Sequence, residues 1–268
     1  MIKATLGLTQ EPFHRLEAAL LPQQQRIADI LHIHAQHGGF GVVLGAPGVG
    51  KTVLREHLEQ RAERGDAVVA SLTRTLHTYT HLLGQLAATL KLDAKPSQLE
   101  AQLILTAFGH VRDGKTLYVV IDEAHLLDMT ALRKLRLLFE RFPRKHLLVL
   151  LGQPELLHQL SLLPNADIKT RITYSANLLP LTDQHLREWI AAELVAVRLG
   201  AHTFDDAALE LITRSAMGNL RLARILSHGS LIEACRDSKR QVSISHVNDV
   251  LIQPHWRSHE QLIKGQIK

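Results

Sequence analysis

The chain has 268 residues, 46% apolar and 21% charged, which suits a globular protein of one or two domains and excludes a disordered one. Its net charge of +5, with 17 histidines able to add to it in mild acid, favours an anionic partner without naming one. The lone cysteine, Cys235, excludes an internal disulfide, MIKATLGLTQEPF lacks the apolar core of a signal peptide, and no apolar run reaches the ~20 residues that span a bilayer, so a cytoplasmic protein without membrane contact is expected.

In chain order, turn signals stand at Glu11-Pro12 and Pro22, and Ile27, Ile30, Leu31 and His34 recur as on a helix that stops at glycine. FGVVLG then reads as a buried strand, Val53 to Arg64 as a helix stopped at Gly65, and residues 66–72 as a second strand. Helices are expected around 76–92 and 97–112, separated by Pro96. LYVVID at 117–122, an amphipathic basic helix at 130–142 and LLVLLG at 147–152 follow. Short apolar strands alternating with helices predict an α/β fold with a parallel sheet covered on both faces. Beyond Pro180 the stretches 183–199, 205–216, 219–236 and 244–252 all read as helices, giving a small all-helical domain. The expected organisation is an N-terminal segment and helix at 1–36, an α/β domain at 37–181, a helical domain at 182–253 and a tail at 254–268.

Residues Gly45, Ala46, Pro47, Gly48, Val49, Gly50, Lys51 and Thr52 fit G-x-x-x-x-G-K-[ST], with a strand before and a helix after. The glycines allow backbone N–H groups to point inward at phosphates, Lys51 reaches the β- and γ-phosphates, and Thr52 offers its hydroxyl to Mg²⁺. A glycine-rich turn with a chance lysine is the plainer alternative. The run at 117–122 ends in Asp122-Glu123, which puts one carboxylate at the C-terminal edge of a parallel strand to hold the Mg²⁺ shell and a second beside it to polarise water. Capping of the following helix is the alternative for this pair. A nucleoside kinase has less use for the second acid, so hydrolysis is favoured over transfer. The letters DEAH at 122–125 also occur in helicases with two tandem motors, whereas this chain has one, and His125 is read as part of the turn. No LSGGQ-like segment supports an ABC-type ATPase. His77 and His81 are four apart but lack the H-E-x-x-H glutamate and any cysteine, which argues against zinc.

These residues resemble the AAA+ ATPases, and within them a bacterial group related to the secretion ATPase ExeA and to the transposon ATPases TniB, TnsC and MuB. The resemblance rests on GLTQEPF at 7–13, GAPGVGKT at 45–52, VVIDEAHLL at 119–127, LLGQPELL at 150–157, KTRI at 169–172 and GNLRLARIL at 218–226. It implies a P-loop NTPase with a parallel β-sheet core and a helical C-terminal lid, binding ATP with Mg²⁺. Asp122 and Thr52 would hold the metal and Glu123 would act on the water. By position, it also implies that Gln153 is a polar sensor, that Arg171 is an arginine finger reaching the ATP of a neighbouring subunit, and that Arg221 is a second sensor on the lid. Each has a simpler reading: Gln153 as a strand-end polar group, Arg171 and Arg221 as surface cations. A finger supplied in trans implies a homo-oligomer, ring or filament.

Secretion relatives extend into a membrane segment and a cell-wall-binding part. A chain ending at Lys268 without either is expected to resemble the transposon ATPases, which coat double-stranded DNA and recruit a transposase. Secretion or envelope assembly, or a nucleotide-gated scaffold of low turnover, are the alternatives. Arg133, Lys134, Arg136, Arg141, Arg144 and Lys145 cluster around one helix and Arg74 follows the second strand, as DNA contacts or as a solvated basic face. With aromatics at 4%, backbone contact with duplex is favoured over stacking on single strands.

Overall fold

A computed structural model describes residues 2–13, 20–73, 78–162, 166–253 and 256. Expectations for Arg74, for His77 and for the tail at 254–268 other than Trp256 fall outside them. After a short helix α1 (Ile2–Leu6), the elements run α2 (Pro22–Ala35), β1 (Gly39–Gly45), α3 (Lys51–Gln60), β2 (Ala67–Leu72), α4 (Tyr79–Thr89), α5 (Leu99–Arg112), β3 (Thr116–Ile121), α6 (Met129–Phe139), β4 (His146–Gly152), α7 (Glu155–Ser161), α8 (Ala166–Lys169) and β5 (Tyr174–Leu178). Helices α9 (Asp183–Ala196), α10 (Asp206–Ala216), α11 (Leu220–Arg236) and α12 (Ile244–Leu251) complete the chain. Two compact units result, one spanning 19–179 and the other combining 1–18 with 180–268.

The first unit is α/β. Its sheet has the order β2-β3-β4-β1-β5, and every neighbouring pair is parallel. Alternation along each strand divides the core into two layers. Val42, Leu44, Leu117, Val119, Ile121, Leu148 and Leu150 face α4, α5 and α6, whereas Val43, Tyr118, Val120, Leu147, Val149 and Leu151 face α2 and α3. Because both faces are covered, the strands read as continuous apolar runs. Pro22 occupies the first turn of α2, where its missing N–H costs nothing, so the residue expected to mark a turn opens a helix. Gly65, at φ 82°, closes the turn after α3. Parallel pairing puts the C-terminal ends of β1, β3 and β4 on one edge of the sheet, which positions the site.

The second unit is helical and carries its own core of Ile190, Leu194, Phe204, Ile212, Leu226, Leu231 and Val247. Ile2 and Phe13 from the N-terminal segment are buried in that same core, so residues 2–13 associate with the helical unit while α2 lies on the sheet. Thr182, Asp205 and Asn219 cap α9, α10 and α11 through side-chain oxygens that accept backbone N–H bonds, which fixes where these helices begin. Among the described residues, no helix is long and apolar enough to cross a membrane.

Candidate nucleotide site

The turn between β1 and α3 is built by its glycines. Gly48 and Gly50 have φ of 82° and 105°, in the region that favours glycine, and a Cβ on Gly45 would stand 2.7 Å from Val49 Cγ2. Lys51 opens α3 and is only 5% exposed, and its Nζ donates to the carbonyls of Gly45 at 2.6 Å and Ala46 at 3.1 Å. The ammonium thus lies within its own loop, where an entering phosphate would exchange carbonyl acceptors for anionic oxygens. Ala46, Pro47 and Thr52 are exposed. Beneath the loop the fully buried Gln24 of α2 donates from Nε2 to the Gly50 carbonyl at 3.1 Å, while its Oε1 accepts the Leu21 N–H at 2.9 Å.

Two strands away, β3 delivers Asp122 and Glu123 just past Ile121. Asp122 is buried and its N–H donates to the Leu72 carbonyl at 3.0 Å, which anchors it to the end of β2. Burial pushes the Asp122 carboxyl above its ordinary range and the adjoining Glu123 charge adds to this, against the Glu123 N–H at 2.9 Å and the cations of Arg55 and Lys51. Arg55, one turn along α3, brings Nε to 3.6 Å from Asp122 Oδ2 and also pairs with Glu59 at 2.7 Å. Sequence reasoning passed over Arg55. Its spacing of four from Lys51 on one helix face was the available signal.

Glu123 takes φ 53°, a left-handed conformation unusual for a non-glycine residue. Its Oε2 stands 3.5 Å from His125 Nδ1. Gln153, just past the end of β4, brings its Nε2 to 3.0 Å from His125 Nε2 and its backbone N to 3.4 Å from Nδ1. His125 therefore does more than complete a turn, since it joins the acid after β3 to the amide after β4.

The remaining expected residues are elsewhere. Arg171 precedes β5 and lies at the N-terminal edge of the sheet, because Tyr174 is in register with Gly41 while Leu178 pairs with Gly45. At ~3.3 Å per residue, the strand puts it roughly 15–20 Å from its own phosphate loop. It is 60% exposed, ion-paired at 3.1 Å with Glu140, and lines an open cleft of about 620 Å³ with Arg136, Arg144 and His146. Arg221 is exposed in the first turn of α11, in the helical unit, with its N–H bonded to Asn219 Oδ1 at 3.0 Å. The geometry corrects one DNA expectation. Arg136 is largely buried and committed to Glu140 at 3.1 Å and Asp167 at 3.2 Å, so it is an internal tie and no longer a free phosphate contact. Arg133 and Lys134 are exposed, the latter with its ammonium 5.3 Å from the centre of the Tyr79 ring. Among the described residues no cluster of His, Cys, Asp or Glu could hold a metal by itself.

A parallel sheet of this order, with a phosphate loop after β1, paired acids after β3 and a polar residue after β4, has the fold of a P-loop NTPase. Residues 33–160 match the family model described as an AAA domain. The chain is 31% identical over 208 residues to General secretion pathway protein A of Aeromonas hydrophila, covering 74% of this chain and 37% of that protein. It thus spans little more than a third of this relative's length. Among solved structures, Cdc6p of Pyrobaculum aerophilum is similar with a TM-score of 0.72 at 19% identity, over 93% of this chain and 72% of that one. The Drosophila ORC bound to DNA gives 0.67 at 19% identity, over 98% and 67%. At such identities these two likenesses speak for the fold alone.

The residues present fit Mg²⁺ and a triphosphate. The donors are hard oxygens from Asp122 and Thr52, and a divalent cation would favour the charged form of the Asp122 carboxyl, against the burial that raises its pKa.

Proposed function

We propose that the chain binds and hydrolyses ATP with Mg²⁺, assembles with copies of itself on duplex DNA, and there regulates transposition by recruiting a transposase. The observation that carries the ATPase reading is the convergence of Lys51, Asp122, Glu123 and Gln153 on the C-terminal edge of one parallel sheet. In this reading the loop amides and Lys51 orient the triphosphate, Thr52 and Asp122 hold the cation, and Glu123 accepts a hydrogen bond from the attacking water and polarises it. Bound Mg²⁺ supplies neutralisation of the charge that develops on the phosphate oxygens. Gln153 donates its amide toward the γ-phosphate. Arg171, at the far edge of its own sheet, serves a neighbouring copy, and Arg221, on the helical lid at 182–253, is the second sensor. The positive net charge and the resemblance to the transposon ATPases support duplex DNA as partner and the cytoplasm as location.

The 31% relative favours a second reading, in which the ATPase drives assembly of a secretion or envelope complex. Steady-state ATP turnover with and without duplex DNA, at low and high salt, separates the two. The first reading expects DNA to raise turnover and salt to remove the increase. Turnover indifferent to DNA at every salt concentration favours the second.

A further inference from the structure

The turn residue His125 is placed as a connector. Its side chain is about 10% exposed and its carbonyl accepts Gln159 Nε2 at 2.9 Å, so the backbone beneath the ring is held as well. Both ring nitrogens face functional groups: Nε2 meets the Gln153 side-chain amide, and Nδ1 meets the Glu123 carboxylate and the Gln153 N–H. We propose that His125 is a two-state positioning residue that couples the amide orientation of Gln153 to the freedom of the Glu123 carboxylate. The proposal rests on the reading above, in which Glu123 orients the water and Gln153 contacts the γ-phosphate.

A neutral imidazole carries one N–H, and its two tautomers satisfy these neighbours in opposite ways. With the proton on Nδ1, the ring donates toward Glu123 and Nε2 accepts from the Gln153 NH₂. This tautomer matches the amide nitrogen facing Nε2 at 3.0 Å and sets Nδ1–H 3.5 Å from the Glu123 carboxylate, at the cost of leaving the Gln153 backbone N–H, 3.4 Å from Nδ1, without an acceptor on the ring. A half-turn of the Gln153 amide gives the other state. Its NH₂ then points away toward a phosphate oxygen, its carbonyl faces the ring, and the proton belongs on Nε2, where it can be accepted. Nδ1 becomes an acceptor, served by the Gln153 backbone N–H at 3.4 Å, and Glu123 loses its donor. One proton leaves Nδ1 and one arrives at Nε2 through water, so the charge is unchanged. The carboxylate is freed for water when the amide has found its phosphate.

The test is nitrogen NMR of the histidine rings in the full-length protein, without nucleotide and with Mg²⁺ plus a non-hydrolysable ATP analogue, the His125 signal being identified by its loss in His125→Asn. The proposal expects the Nδ1–H tautomer without nucleotide and the Nε2–H tautomer with it. The same tautomer in both states overturns the relay. Kinetics give a second readout, because asparagine places an amide where Nδ1 stood and glutamine where Nε2 stood. His125→Asn keeps a donor on Glu123 whatever Gln153 does, so kcat should fall about tenfold with KM unchanged, whereas His125→Gln should stay within roughly threefold of wild type. Equal kcat in the two variants also overturns the relay. Glu123→Gln separates this failure from failure of the underlying reading. If it abolishes turnover while the tautomer never changes, only the relay falls; if it leaves turnover intact, the role of Glu123 falls with it.

Discussion

Gln24 gives the sharpest test of how the phosphate loop is held. Gln24→Met keeps most of the side-chain volume but removes both polar ends, leaving the Leu21 N–H and the Gly50 carbonyl without the partners now at 2.9 and 3.1 Å. A buried group stripped of its hydrogen bond costs about 1–3 kcal/mol; the Gly50 carbonyl keeps the Leu54 N–H at 3.2 Å, so only the half-buried Leu21 N–H is left bare, at the lower figure of about 1 kcal/mol. For a unit of this size that lowers the thermal midpoint by roughly 2–4 °C. The same loss frees the last glycine before Lys51, so ATP affinity should also weaken, by about fivefold, as preorganisation is lost. The neighbouring Gln23 makes solvent-exposed hydrogen bonds to Leu179, and Gln23→Ala should change stability by less than about 0.5 kcal/mol. Thermal unfolding of both variants, with and without Mg-ATP, decides the matter. A Gln24→Met midpoint within a degree of wild type, with unchanged ATP affinity, would refute the strut.

Other outcomes follow from the same geometry. Lys51→Ala removes an ammonium held at 2.6 Å in the loop and should weaken ATP binding at least tenfold by calorimetry, since a charged hydrogen bond contributes about 1.5–3 kcal/mol. Glu123→Gln should bind ATP as wild type does but turn over about a hundredfold or more slowly, measured by phosphate release. Gly218→Ala puts a Cβ 2.5 Å from the Leu181 carbonyl at a residue with φ +77°, so it should cost more than about 2 kcal/mol of stability, seen as a lowered melting transition. Burial holds His146 below the ordinary 6.5, with His32, His57 and His110 shifted the same way, so the unfolded chain takes up protons that the folded one refuses. Their contribution to stability is complete above pH 6.5 and shrinks as pH falls from there through the lower folded values, and a denaturation midpoint that is flat from pH 7 to 5 would contradict it.

Sequence pattern carried the architecture because both sheet faces are covered. GFGVVLG, TLYVVI and HLLVLLG are buried along almost their whole length, whereas the edge strand YSANL alternates exposed and half-buried residues and gives no such run. Lys51 and Asp122 were legible for a local reason, since Lys51 opens the helix that follows β1 and Asp122 directly follows the last residue of β3. What stayed hidden depends on partners far along the chain. Gln24 is 26 residues from the carbonyl it supports, and His125 is 28 from the amide that gives its ring a role. Arg136 looked like one cation among several until Asp167 was found beside it. Phe13, buried with Trp189 at 5.9 Å and Phe204 at 6.4 Å, shows the same limit for packing, because nothing near it announces a core built from the other end of the chain.

The claim that matters most is that one active site is shared by two copies, Lys51 on one and Arg171 on the next. Mixing Lys51→Ala with Arg171→Ala in equal amounts tests it, since each variant alone lacks one half of every site. Random assembly pairs an intact loop with an intact arginine at about a quarter of the sites, so the mixture should recover about a quarter of wild-type ATP turnover per subunit. A mixture as inactive as its two components, although it assembles as wild type does, would contradict the shared site.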